Sequence, residues 1–148
     1  MAAEATTYPL GGIVSLLQSA RRKHMAKILV VDDEPAMRRA TSRALEAAGH
    51  TVSVHANGRG AVRDIEKEPP DLLITDIFMP DMEGLETIRE ARVRQPKLPI
   101  IAMSGMTFEE RDYLGIAEKF GAVATLKKPF RPAELIELVN RLLAIRDA

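Results

Sequence analysis

From Lys27 to the end of the chain, short apolar runs rich in β-branched residues alternate with longer stretches whose apolar positions recur at helical spacing. The runs predict strands near 27–32, 51–54, 71–75, 98–103 and 122–126. Helices are predicted near 35–48, 58–67, 83–94, 107–119 and 132–146. Such alternation argues for βα units wound around a parallel sheet, an α/β fold. The first and third runs are apolar at successive positions, as expected of strands covered by helices on both faces.

Residues at the predicted helix ends agree. Pro35 stands where a first helical turn tolerates a missing N–H, and Gly49 where a helix stops in a left-handed conformation. Thr107 and Glu110 have capping-box spacing. Pro132 can open the last helix, along which Leu135, Leu138, Val139 and Leu142 repeat at helical period.

The 148 residues suffice for one domain with a true core and are too few for two of ordinary size. Twenty-one basic residues balance 21 acidic ones, so no net field points to nucleic acid or an anionic membrane. There is no cysteine, which excludes disulfides, thiolate metal sites and cysteine nucleophiles. No apolar stretch approaches the roughly 20 residues a membrane span needs. The expectation is a cytoplasmic domain at 25–148, without nucleic-acid or membrane partners, preceded by an extension at 1–24.

That extension is read as disordered or as a short helical arm. Either Met25 is the working initiator and the segment is extraneous, or Gly12–Lys23 forms an amphipathic helix. In the helix, Ile13, Leu16, Leu17 and Ala20 share a face, with Arg21, Arg22 and Lys23 at the favoured end. Such an arm could cover a neighbour's surface in a dimer.

Four apolar runs stop on residues that phosphate chemistry can use. Ile28–Val31 runs into Asp32 and Asp33, Leu72–Thr75 into Asp76, Ile100–Met103 into Ser104, and Ala122–Leu126 into Lys127, Lys128 and Pro129. In a parallel sheet the carboxyl ends of the strands share one edge, where open α/β folds build their sites. If the first and third strands are neighbours, about 4.8 Å apart, Asp33 and Asp76 face each other. Carboxylates so close repel, and one takes up a proton unless a cation intervenes. Mg²⁺ or Mn²⁺ suits the set. One Asp can then attack phosphorus to give an acyl phosphate, while Ser104 and Lys128 reach in from the far strands.

Each piece alone has an ordinary explanation. Asp-Asp-Glu-Pro alone reads as a capping turn, Ser104-Gly105 as a turn pair, and Lys127-Lys128-Pro129 as a solvated strand exit. Their joint placement on four strand ends is what argues for a site.

The stretches Lys27–Pro35, Asp76–Gly84, Met103-Ser104-Gly105 and Lys128-Pro129-Phe130 closely resemble the receiver domains of two-component response regulators, over about residues 26–146. The resemblance implies a flavodoxin-like (βα)5 sheet of order 2-1-3-4-5, an order the handful of known doubly wound folds includes. It implies that Asp76 accepts phosphate from a histidine kinase, a histidine phosphotransfer protein or acetyl phosphate. Asp33, Asp76 and the Phe78 carbonyl would bind Mg²⁺ directly, with Asp32 acting through water. Ser104 and Lys128 would hold the phosphoryl oxygens, and the Lys128–Pro129 peptide is expected to be cis. Lys127 should point to the opposite side of its strand.

Two positions depart from the family pattern. Thr125 stands where many receivers carry a switching aromatic ring, so coupling from Ser104 is expected to be weaker or differently routed. Phe78 and Met106 are apolar two residues after Asp76 and Ser104, which predicts slow self-dephosphorylation because neither side chain can orient water. His24, His50 and His55 lack ligand spacing and are expected at the surface or at strand ends, and the methionines are expected as core filler.

The preferred reading is a stand-alone receiver, a phosphorylation-controlled binding module rather than an enzyme, acting on a separate downstream protein. The alternative is a phosphorelay intermediate that passes phosphate on to a histidine phosphotransfer protein. A phosphatase of the haloacid-dehalogenase type needs a second Asp two residues after the nucleophile, where this chain has Phe78. A flavin or nucleotide site needs a phosphate-cradling loop after the first strand, where Asp32-Asp33-Glu34 would repel phosphate.

Overall fold

The computed structural model describes residues 25–80, 84–105 and 115–147. Strands β1 (Lys27–Val31), β2 (Thr51–His55), β3 (Leu72–Asp76), β4 (Ile100–Ser104) and β5 (Ala124–Lys127) form one sheet in the order β2-β1-β3-β4-β5, every pair parallel. Between them run α1 (Pro35–Ala47), α2 (Gly58–Lys67), α3 (Gly84–Arg94), α4 (helical over described residues 115–120) and α5 (Pro132–Asp147). This is the predicted flavodoxin-like order.

The helix signals act as expected where they are described. Pro35 occupies the first turn of α1, and Gly49 ends that helix region with φ 98°. The α2 start has a cap not foreseen from the sequence: Asn57 accepts the Gly60 N–H at 2.9 Å. The capping-box pair Thr107 and Glu110, Met106, and the whole of 1–24 lie outside the described residues.

Because side chains alternate across a strand, each apolar run feeds two cores. Leu29, Val31, Leu73, Ile100 and Ala102 face Ala61, Ile65, Leu85, Ile88 and Ala117 from α2, α3 and α4. Ile28, Val30, Leu72, Ile74, Ile101 and Met103 face Leu45, Leu135, Val139 and Leu143 from α1 and α5. All five residues of β3 and of β4 are buried, so nothing in the central strands is available to solvent except at their ends.

Two strands end later than their apolar runs. Asp76 and Ser104 belong to β3 and β4, because the ladder continues through the Asp76–Met103 and Ser104–Lys127 pairs. β4 begins at Ile100 rather than 98, after Pro99, which has no N–H to pair. Of the histidines, His55 lies at a strand end as expected, and His50, next to the start of β2, is not at the surface. His50 is buried, its Nδ1 accepting the Ala26 N–H at 3.1 Å and tying the α1 exit to the start of β1. His55, half-buried, ends β2 with Nε2 2.5 Å from Asp64 Oδ2. Of the methionines, Met79 and Met103 are buried, whereas Met25 is exposed.

Candidate functional site

The carboxyl edge of the sheet gathers the expected side chains. Val31 pairs with Thr75, so the next residues, Asp32 and Asp76, emerge side by side from β1 and β3. Asp32, Asp33 and Asp76 each offer a carboxylate oxygen within 4.8 Å of the others. Asp32 is fully buried and Asp76 is 8% exposed, while Asp33 is exposed and opens the cluster to solvent.

Local bonds hold these acids. Asp32 Oδ1 accepts the Glu34 N–H at 3.0 Å, closing the turn that leads into α1. Its backbone is fixed from both sides: its N–H donates to the His55 carbonyl at 3.1 Å, and its carbonyl accepts Arg38 Nη1 at 2.8 Å. Asp76 Oδ1 accepts the Phe78 N–H at 3.3 Å. Neither Arg38 nor His55 was singled out for the site from the sequence. Their contributions run through main-chain atoms, which no spacing of residue types reveals.

Lys128 follows β5, and its peptide to Pro129 is cis. Its ammonium crosses the gap left by β4 and donates to Asp32 Oδ2 at 2.7 Å and to Asp76 Oδ2 at 2.9 Å. A lone lysine at a strand exit would remain solvated; here the negative potential of the converging carboxylates draws the ammonium in. Lys127, its neighbour, is exposed.

Ser104 ends β4 one step beyond the Asp76–Met103 pair. Its hydroxyl is wholly buried and has no hydrogen-bond partner among the described residues. A buried hydroxyl left unpaired costs about 1–3 kcal/mol. Such a group marks a place where an oxygen-rich ligand would be gained at little further cost.

Electrostatics follow from this packing. Burial raises the Asp76 carboxyl above its ordinary 3.8, Lys128 pulls it back, Asp32 adds to the rise, and the net direction is up. Burial alone would lower the Lys128 ammonium, but its bonds to Asp32 and Asp76 outweigh that, and the net shift is upward. The cluster therefore holds more negative charge than it can comfortably keep dry. Three carboxylates with one open side form a donor set suited to a hard divalent cation.

A family model for the response regulator receiver domain matches residues 28–140. The chain belongs to the response regulator receiver family. Among receiver proteins, CpdR of Brucella abortus is 35% identical over 119 residues, covering 80% of this chain and 98% of CpdR. The transcriptional regulator NtrC of Escherichia coli is also 35% identical, over 117 residues, 79% of this chain but only 24% of NtrC. Chemotaxis protein CheY4 of Vibrio cholerae superposes with a TM-score of 0.72 at 34% identity, covering 80% of this chain and 98% of CheY4. The chain thus spans about a quarter of the length of NtrC and nearly all of CpdR and CheY4.

Against the usual receiver pattern, Thr125 is half-buried on β5, paired with Ala102. The Phe78 side chain is 37% exposed beside the acid cluster.

Proposed function

We propose that this receiver takes a phosphoryl group on Asp76 and thereby changes the surface it offers a separate protein. The observation that carries the reading is the placement on neighbouring strand ends of Asp76, the ammonium that bonds it, and a buried hydroxyl without a partner among the described residues. The donor would be a histidine kinase, a histidine phosphotransfer protein or acetyl phosphate. An Asp76 carboxylate oxygen forms the new O–P bond as the P–N bond to a donor imidazole breaks, or, with acetyl phosphate, as the P–O bond breaks and acetate leaves. The bonding pair leaves with the imidazole, which takes up a proton from water.

The roles of the remaining groups follow from what they touch. Lys128 already lies on Asp76 Oδ2 and can transfer its hydrogen bond to a phosphoryl oxygen without changing elements. The Ser104 hydroxyl, without a partner among the described residues, gains one in a phosphoryl oxygen. Asp33, exposed, and Asp76 would hold Mg²⁺ or Mn²⁺ directly, together with the Phe78 carbonyl. Asp32, whose oxygens are held by Glu34 and Lys128, would act through water. When bound, the ion supplies charge neutralisation for the phosphoryl oxygens.

The domain is a phosphoacceptor that assists its own modification, with no turnover of outside substrate. Matches over 98% of the length of CpdR and 98% of that of CheY4 support a role like that of these receivers. Among the described residues no helix is long and apolar enough to cross a membrane.

Phosphate-affinity electrophoresis with acetyl phosphate and Mg²⁺ tests the acceptor. One acid-stable, base-labile shifted band is expected in wild type and none in Asp76→Asn; an unchanged band in the variant would sink the reading. Phosphotransfer profiling against purified kinases and phosphotransfer proteins identifies the donor, and return of phosphate to a histidine would favour the relay.

A further inference from the structure

The first residue of α3 presses on the backbone that carries Asp76. A Cβ built on Gly84 would lie 2.0 Å from the Asp76 carbonyl oxygen, 2.4 Å from Ile77 Cα and 2.6 Å from the Ile77 carbonyl carbon. All three are main-chain atoms, so no rotamer change relieves the overlap. The requirement for glycine here is spatial; the positive-φ glycines of the described residues are Gly49 and Gly121.

The Asp76–Ile77 peptide is held from its other sides as well. The buried Thr75 hydroxyl donates to the Asp76 carbonyl at 3.0 Å. The Ile77 N–H donates to the Met103 carbonyl at 3.0 Å, and the Gly84 N–H to the Ile77 carbonyl at 2.7 Å. α3 cannot easily retreat, since Leu85 and Ile88 are buried in the core beyond it. A methyl group at 84 must therefore shift the Asp76–Ile77 segment, and with it the Asp76 carboxylate and the Phe78 N–H that contacts it.

We propose that Gly84 is a positioning residue for Asp76: with the Thr75 hydroxyl it clamps the Asp76 carbonyl and so sets the carboxylate's aim at the phosphorus atom. The inference rests on Asp76 being the acceptor. A misaimed nucleophile loses rate steeply, up to about a hundredfold per ångström.

The test measures acetyl phosphate labelling per folded molecule, with the folded fraction taken from circular dichroism. Wild-type labelling is the check on the acceptor itself; without it the proposed function fails before this inference is reached. Given labelling, Gly84→Ala is expected to lower the maximal rate at least about tenfold with little change in half-saturating acetyl phosphate. Gly115→Ala, whose new Cβ meets nothing within 4 Å, should match wild type. Leu143→Ala, a destabilising change in the opposite core, should keep its rate per folded molecule.

A Gly84→Ala protein that labels at the wild-type rate per folded molecule overturns the proposal. If Gly84→Ala does not fold, Thr75→Val decides instead: it keeps the side-chain shape and removes the other side of the clamp. A severalfold slower rate supports the clamp, and an unchanged one refutes it.

Discussion

The two rims of this sheet carry similar numbers of charges and use them oppositely. At the amino edge, Arg146 pairs with Asp71 at 2.9 Å, Lys27 pairs with Glu68, and all four side chains are a third or more exposed. Arg92 nearby donates to the Pro96 and Gly121 carbonyls at 2.8 and 2.6 Å, joining α3 to the end of α4. At the carboxyl edge the acids Asp32 and Asp76 are buried against one ammonium. Exposed pairs are cheap to form and cheap to lose. Buried ones store repulsion that a cation or ligand can relieve. The first rim closes the fold, and the second is held short of its best electrostatic state, as functional sites often are.

Removing a cation from each rim should separate them most widely. Lys128→Ala strands Asp32 and Asp76 without compensation and should cost about 3–5 kcal/mol in urea unfolding at pH 7. Arg146→Ala should cost no more than about 1 kcal/mol. Equal losses would break the comparison.

Mg²⁺ should act on one rim alone. At a hundred times its dissociation constant it should add about 2.7 kcal/mol to stability, seen as a rise in unfolding temperature. Asp33→Asn should shrink that rise, and Glu68→Gln should leave it intact.

Asp76→Asn should stabilise the metal-free protein at pH 7, by on the order of 1 kcal/mol. The folded-state carboxyl sits above its ordinary 3.8, so the folded protein binds that proton more tightly than the unfolded chain does. Ionising it costs stability; the cost is complete once the pH exceeds the raised value and absent below about 3.8. The variant's advantage should therefore fade on acidification, and denaturant melts across that range measure it. An advantage that grew in acid would reverse the sign.

The smallest effects concern Phe78 and Thr125. Phe78→Asn should shorten the phosphoryl lifetime by a few-fold, on the order of the contribution a polar group makes by orienting water. Beryllofluoride should leave Thr125 nearly unmoved in amide spectra, since a small side chain has no ring to bury.

Much of the site was legible because strand periodicity and strand ends are local properties. A run such as Ile28–Val31 followed by Asp32 announces both a buried strand and a polar exit. The motif glycine Gly84 was visible, but its purpose was not, since its clash partners are the main chain of another element. His50 carries no local signal of burial; its bond to the Ala26 N–H exists only once the α1 exit meets the start of β1.

By itself, then, the amino-acid order determined the βα alternation, the two-faced cores, and the identity of the residues at each strand's end, because side-chain alternation and turn chemistry act over a few residues. Tertiary structure alone decided that Lys128 lies on Asp32 and Asp76, that Ser104 is buried without a partner among the described residues, and that α3 leaves no room for a Cβ behind Asp76. Those outcomes depend on distances between strands and helices remote in sequence, which only the packing of the whole sheet sets.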